Sequence, residues 1–182
     1  VLLSDEDKVE TLGLSERQKG VLMQGIIENN GTEQTIIELN NLGFSSRITE
    51  DIFSRYQEKS LEVIRKDPYS LATEIRGLGF KRIDQIAQGM GISFDDQKRI
   101  LGAVLTSLYE ECYSNGNTYA NDKLLLKKSL QLLEGARSEK VDPEKVADTI
   151  IEAGHKHKIV IEGKRIYPKS LYNSEQEIAY DL

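Results

Sequence analysis

Apolar residues recur along most of the chain at spacings of three and four, the period of amphipathic helices. Ser15 with Gln18 makes a capping-box start, and Leu22, Ile26 and Ile27 form a stripe that Asn29-Asn30-Gly31 is expected to end. A second helix is expected from about Thr32 to Asn40, a third carries Ile48, Ile52, Phe53 and Tyr56, and a short one lies around Leu61 to Ile64. Asp67-Pro68 reads as N-cap and first helical position, where the missing proline N–H costs nothing. That helix carries Leu71, Ile75 and Leu78 and gives way at Arg76-Gly77-Leu78-Gly79-Phe80 to another, begun at Lys81, with Ile83, Ile86, Ala87 and Met90 on one face. Gly91 closes it, and Ser93 and Asp95 open a longer helix with Ile100, Leu101, Val104, Leu105, Leu108 and Cys112.

The pattern changes near Asn115-Gly116-Asn117. Helices near 122–134 and 142–153, the second opened by Asp142-Pro143, precede a stretch of strand character. Ile159-Val160-Ile161 and Arg165-Ile166-Tyr167 flank Glu162-Gly163-Lys164, the pattern of a β-hairpin with a short glycine turn.

The glycines at 77 and 79 make a specific request on the backbone. A turn this tight needs positive φ or close backbone approach, and glycine supplies both cheaply. Leu78 is expected to plug the gap between the flanking helices while the turn amides face outward, just ahead of a helix N-terminus. Free amides there form an anion site, with the helix dipole adding roughly 0.3–1 kcal/mol. Lys81 and Arg82 stand where they reinforce a bound phosphate, so the candidate contact set is Gly77, Leu78, Gly79, Phe80, Lys81 and Arg82. Such a set grips a nucleic-acid backbone without reading bases. A degenerate copy lies 36 residues earlier: Asn41-Leu42-Gly43-Phe44 aligns with Gly77-Leu78-Gly79-Phe80, Asn41 standing in for the first glycine as the residue that next best tolerates left-handed geometry. Two extra residues in the turn then match Ile52, Phe53 and Tyr56 to Ile86, Ala87 and Met90. Gly43, Phe44, Ser45, Ser46 and Arg47 form this second candidate hairpin.

The expected fold is therefore mainly α: a tandem helix-hairpin-helix bundle followed by a small winged-helix-like unit with a C-terminal β-hairpin. The expected divisions are an N-terminal helical segment at 1–31, the tandem hairpins at 32–91, a connecting long helix at 92–116, the winged-helix-like unit at 117–170 and the start of a following domain at 171–182.

Charge tempers the nucleic-acid reading. The net charge is −6, whereas nucleic-acid binders are usually basic. Residues 1–63 hold twelve acids and six bases, 64–120 seven of each and 121–182 eleven of each, so the acidic excess lies in the first third. Local basic clusters at Arg65-Lys66, Lys81-Arg82 and Lys98-Arg99 permit weak phosphate contacts. No apolar run approaches the ~20 residues of a membrane span. Acids at Asp5, Glu6 and Asp7 stand where a signal peptide has its basic region, and the single Cys112 suits a reducing cytoplasm. The opening at Val1 and the helix-start pattern Ser174-Glu175-Gln176-Glu177-Ile178-Ala179 read as two cut ends.

The run from Asp67 to Ile92, DPYSLATEIRGLGFKRIDQIAQGMGI, resembles the N-terminal region of RecD/TraA-type ATP-dependent DNA helicases, related to the exodeoxyribonuclease V alpha chain. Those proteins show a similar "NPY-L…I-GIGF…AD-IA…GI" run, and Asn115-Gly116-Asn117-Thr118-Tyr119 is similar to their "NGHTY" stretch. Ile166-Tyr167-Pro168 and Glu177-Ile178-Ala179 resemble the approach to the motor domain. The resemblance implies a cytoplasmic parent that unwinds DNA in repair or recombination using ATP and Mg, with its catalytic motifs beyond Leu182. It implies a fragment without chemistry or cofactor of its own, whose partners are DNA and the motor domain of the same chain, and no membrane. One departure is Ile83, where the family has a small Ala; the larger side chain is expected to hold the two helices apart and shift the turn amides.

Other features carry plainer readings. Two glycines at a helix junction also serve as C-caps, and Lys81-Arg82 as a solvated helix start. Cys112 continues the 101-104-105-108 stripe and belongs to the core. Asp95-Asp96 and Glu110-Glu111 are adjacent pairs, which do not face each other on a helix, and read as cap and surface acids. His155-Lys156-His157 lacks a further ligand at metal spacing, and Gly163-Lys164 lacks the rest of a phosphate loop. The rival function is protein docking, with the hairpins as scaffold.

Overall fold

A computed structural model describes residues 15–180, the side chains of 26–30, 175 and 177–180 excepted. The acids at 5–7, the stripe positions Ile26 and Ile27, and Glu175, Glu177, Ile178 and Ala179 as side chains therefore lie outside the described residues. The chain divides between Arg65 and Lys66 into two compact units.

In the first unit, α1 (Glu16–Asn41) is one helix of 26 residues, with Gln18 Oε1 accepting from both the amide and the hydroxyl of Ser15. The expected stop at Asn29-Asn30-Gly31 is corrected: the helix runs through it. An interior glycine costs only about 1 kcal/mol against alanine, which a long helix absorbs. Past that point Thr35 Oγ1 donates to the Gly31 carbonyl at 2.9 Å. The helix ends instead at Gly43, whose φ of 97° no helix accommodates. α2 (Ser46–Tyr56), a 3₁₀ turn (Gln57–Lys59) and α3 (Ser60–Lys66) follow. Leu39, Phe44, Ile52 and Ile64 are buried, while Leu22, expected on the buried stripe, is 37% exposed.

The second unit begins with the 3₁₀ turn Pro68–Ser70 and α4 (Leu71–Glu74), opened as expected by Asp67, whose carboxylate accepts from the Tyr69 amide. α5 (Phe80–Gly89) and α6 (Gln97–Tyr109) follow, and α6 continues as a π-helical turn, Glu110–Ser114. β1 (Ala120–Asn121), α7 (Asp122–Ala136), α8 (Pro143–His155), β2 (Ile159–Glu162), β3 (Arg165–Pro168) and α9 (Lys169–Tyr180) complete the chain. The strands form an antiparallel sheet in the order β1-β3-β2, with Ile166 opposite both Ala120 and Ile161. The mainly helical fold and the terminal β-hairpin are as expected; β1 is too short to leave a periodicity.

Two local expectations change. Asp96, not Asp95, caps α6, accepting from Lys98 N at 2.8 Å, while Asp95 pairs with Lys145 at 2.6 Å. Glu111 is not a surface acid: it is buried, pairs with Lys128, and accepts from the amides of Asn115 (3.0 Å) and Asn117 (2.7 Å). It thereby holds the turn that follows α6, and Cys112 beside it is core as expected, its thiol pushed up to about 11 by burial and then by Glu111.

At the centre of this unit stands Asp84 on α5, 1% exposed and flanked by two arginines. Its carboxylate accepts from Arg99 Nε and Nη2 at 2.9 and 3.1 Å, from Arg137 Nε and Nη2 at 3.0 Å each, and from the Tyr69 hydroxyl at 2.7 Å. The remaining guanidinium donors reach main-chain carbonyls: Arg99 those of Phe94 and Leu133, Arg137 those of Ile92 and Asp84. Burial alone would raise the Asp84 carboxyl, but the hydrogen bonds from Arg99, Tyr69 and Arg137 outweigh it and hold it below the usual range. α6 approaches Tyr69 closely because position 102 is glycine; a Cβ there would stand 2.5 Å from Tyr69 Cβ.

Asp84→Ala leaves two buried guanidinium groups without their anion and should cost on the order of 3–5 kcal/mol in chemical denaturation. Because the folded carboxyl is depressed, its stabilisation is complete above the ordinary aspartate range and is lost as pH falls through the folded value. Asp84→Asn should therefore be less stable than the parent at neutral pH and show a shallower decline on acidification, measured as urea midpoint against pH.

The candidate nucleic-acid interface at the hairpin turn

Between α4 and α5 the backbone reverses through Gly77, at φ 85°. A residue with a Cβ pays about 1–2 kcal/mol for that conformation, so the glycine here is a geometric requirement. Leu78 follows with its side chain buried, filling the junction as expected, and Phe80 is buried too, stacked on Tyr69 at 5.6 Å. Only the backbone of these two residues can face a ligand. Gly79 behaves differently from expectation: its φ is −76° and ψ 155°, and no atom lies within 4 Å of a Cβ built there. Neither positive φ nor close approach explains it, so the backbone request read at both glycines holds only at Gly77. Gly79 is the N-cap of α5.

That position gives glycine another consequence. Elsewhere in this unit Asp67, Asp96, Asn121 and Asp142 cap the segments that follow them, each side chain accepting from an amide two residues on. Gly79 has no side chain to do this. At the junction Leu78 N donates to Ile75 O, and Arg82 N and Ile83 N donate to Gly79 O. The first amides of α5 thus stand at the positive end of the helix without an internal carboxylate or amide oxygen.

The cations expected there are exposed. Lys81 does not extend straight into solvent: its Cε and Nζ lie 3.6 Å from where a Cβ on Gly135 of α7 would stand. Arg82 donates to Gln85 Oε1 at 3.3 Å. Ile83 is fully buried. The turn borders an open groove of about 1140 Å³ whose lining includes Glu74, Arg76, Glu110 and, on α6 and its continuation, Tyr109 and Tyr113. Those two rings stack at 5.6 Å, and Tyr113 is 55% exposed. An exposed aromatic face is a platform on which an unpaired base can stack. The sequence reading missed this pair, although its i,i+4 spacing on an expected helix was the available signal.

The first unit repeats the turn with a shift. Gly43 (φ 97°) corresponds to Gly77, buried Phe44 to buried Leu78, and Ser45 to Gly79. Ser45 is the N-cap of α2 at φ −74° and ψ 156°, and Ser46 and Arg47 begin that helix, exposed. The turns therefore correspond at an offset of 34 residues, the one that matches Ile52 to Ile86. The pairing of Asn41 with Gly77 is corrected: Asn41 is the last residue of α1, and the left-handed residue is Gly43. The near-identical cap angles also bear on Ile83, whose counterpart at this offset is the smaller Thr49. The bulk of Ile83 leaves the local cap conformation as it is in the first turn.

The family model described as "ATP-dependent RecD2 DNA helicase HHH domain" matches residues 28–119. That range contains both turns, the stacked tyrosines and the Asn115–Tyr119 stretch.

The two glycines of the second turn should separate on substitution. Gly77→Ala forces a Cβ into positive φ and should lower stability by about 1–2 kcal/mol. Gly79→Ser, in open space at an extended N-cap, should be neutral or stabilising by a few tenths of a kcal/mol. Thermal unfolding of both variants beside the parent checks the pair.

Proposed function

Since the chain belongs to the ATP-dependent RecD2 DNA helicase HHH domain family, we propose that it is a non-catalytic module that docks on DNA, or positions it, for a RecD-type helicase in repair or recombination. The contact is to backbone phosphates, through the amides of Gly79, Phe80 and Lys81 with Lys81 and Arg82 beside them. The observation that carries this reading is the start of α5, which no side chain caps, in a unit where α6, α7 and α8 are each capped by an Asp or Asn side chain. The first turn, with Ser45 at the cap and Arg47 alone in the first helical turn, is the weaker of the pair. We read the helix–strand–helix–helix–strand–strand order from α6 to β3 as a winged-helix-like platform beneath the hairpin. ATP and Mg then belong to the motor domain of the parent, which is the partner in the same chain, and the setting is the cytoplasm.

A second reading rests on α1, where Val21 is 71% and Ile37 52% exposed in the acidic first third. Apolar side chains displayed on a helix suit a protein partner, with the hairpins as scaffold.

Fluorescence anisotropy with labelled single-strand, duplex and forked DNA separates the two. DNA docking should give sequence-independent binding on the order of 10⁻⁴ to 10⁻⁶ M, with a log-log salt slope near −0.9 per phosphate on duplex. Lys81→Glu with Arg82→Glu should weaken binding and flatten the slope, while far-UV circular dichroism is unchanged. Gly79→Asp is the sharper variant: its carboxylate caps α5 from within and occupies the anion position, so stability should hold or rise as affinity falls. Binding of all three DNAs by both variants as by the parent would leave the hairpin a scaffold.

A further inference from the structure

A second basic feature lies away from the hairpin turn. The first turn of α6, the last turn of α8 and the residue preceding β2 enclose a cleft of about 300 Å³ together with Lys66 and Asp67. Four lysines line it, Lys66, Lys98, Lys156 and Lys158, all exposed, against two carboxylates. Glu152 is committed, paired with Lys156 at 2.5 Å and bonded by the Gln97 amide. Asp67 is committed as the cap of the Tyr69 amide at 3.1 Å, and burial raises its carboxyl in spite of nearby Lys158 and Lys98. Among the described residues, no ion pair involves Lys66, Lys98 or Lys158.

Two further features make this more than a scatter of surface charge. Lys98 is the second residue of α6, at the positive end of the helix, where a cation is disfavoured and an anion favoured. Lys158 is placed by a fixed turn: His157 takes a left-handed φ of 54°, and Lys158 N and His157 N bond back to the carbonyls of Ala153 and Gly154 at 2.9 and 3.0 Å. The cleft thus gathers three cations that form no ion pair among the described residues, with the Asp67 carboxylate acting on Lys98 and Lys158 and with Asp96 capping the α6 start beside them, in a protein whose net charge is −6. Four lysines against two carboxylates leave the cleft positive.

We propose that Lys66, Lys98 and Lys158 form a second phosphate site, which takes the backbone of the same DNA that the hairpin engages. The proposal rests on the DNA-docking reading and adds to it a contact that the hairpin does not make. A free phosphate or nucleotide offers the same chemistry, so the test must tell the sources apart.

The full 182-residue chain is titrated with labelled duplex and forked DNA over a range of salt, as parent, as Lys66→Gln/Lys98→Gln/Lys158→Gln, as the Lys81→Glu/Arg82→Glu variant, and as all five together. The triple variant should lose on the order of fivefold to tenfold in affinity at 0.1 M salt and flatten the slope by about 0.9 for each phosphate released. The five-fold variant should lose more than either. Glu152→Gln removes an anion from the same cleft without touching the three lysines and should raise affinity. Unchanged circular dichroism and melting temperature exclude misfolding, since all three lysines are exposed.

A triple variant that binds DNA with parental affinity and slope, while the hairpin variant weakens, overturns this site and leaves the hairpin reading standing. Should inorganic phosphate at constant ionic strength protect the chain from thermal unfolding only when the three lysines are present, with DNA binding unaffected, the ligand is a free phosphate and the DNA assignment fails. A parent that binds no DNA overturns both.

Discussion

The second unit is organised around one buried anion. Asp84 sits on α5 between two guanidinium groups, Arg99 from α6 and Arg137 from the end of α7, with the Tyr69 hydroxyl closing the group from the turn before α4. Burying two cations with one anion leaves a positive excess that the interior cannot tolerate alone. Main-chain carbonyls meet it. Leu133 O lies in the last turn of α7 and Ile92 O just past α5, where the carbonyl ends of helices carry partial negative charge. Each element that touches Asp84 thus has its position set by hydrogen-bond geometry, which is directional, as well as by apolar packing, which is not. Apolar side chains of similar volume would give comparable stability in such a place, and the distinctive gain of an ion network is a unique arrangement.

That arrangement reaches beyond the hairpin itself. α5 is the helix whose first amides form the candidate phosphate site, and its opposite face carries Asp84. Arg137 lies outside the range 28–119 matched by the family model, yet it supplies half of the charge that holds α5. Lys81 likewise lies over Gly135, two residues before Arg137. The C-terminal end of α7 therefore fixes the hairpin helix from below through Arg137 and meets the hairpin's first lysine through Gly135. The hairpin is built by residues 67–91, but its orientation depends on sequence nearly fifty residues on.

What the sequence made legible divides along the same line between local and distant causes. The Asp67-Pro68 start, the tight turn at Gly77, the burial of Leu78 and Cys112 and the hairpin around Gly163 each follow from chemistry within a few residues. The misassigned role of Gly79 and the misplaced stop at Gly31 show the limit of reading glycine by type: only φ distinguishes a turn glycine from a cap or a tolerated helix residue. Arg99, expected in a basic cluster open to phosphate, is instead fully buried and committed to Asp84, a partner that stands fifteen residues away in the sequence. A signal was nevertheless present. Phe80, Asp84 and Ala87 recur at spacings of four and three, and Arg99, Ala103 and Thr106 do the same, so each charged residue sits within a buried stripe. A charge at a core position of an amphipathic pattern requires a partner of opposite sign, and two such positions on successive helices are the natural pair.

The electrostatics of the whole chain constrain how such a module can hold DNA. With a net charge of −6, no long-range field draws a polyanion to it, and affinity must come from short-range contacts at points where positive charge is concentrated. The hairpin turn and the lysine cleft are the two such points proposed in one unit, each of a size for a phosphate or two. As proposed, both contact phosphates and not base edges, so neither would tie the protein to a sequence. In the proposed setting, joined covalently to a motor that itself holds DNA, a weak contact would act at high effective concentration and need not be tight to be occupied. Strong backbone binding would oppose the movement of DNA past it at every step, and the excess acidity of residues 1–63 works against that outcome. In the proposed role, the charge that first argued against nucleic-acid binding is what keeps the binding loose enough to be useful.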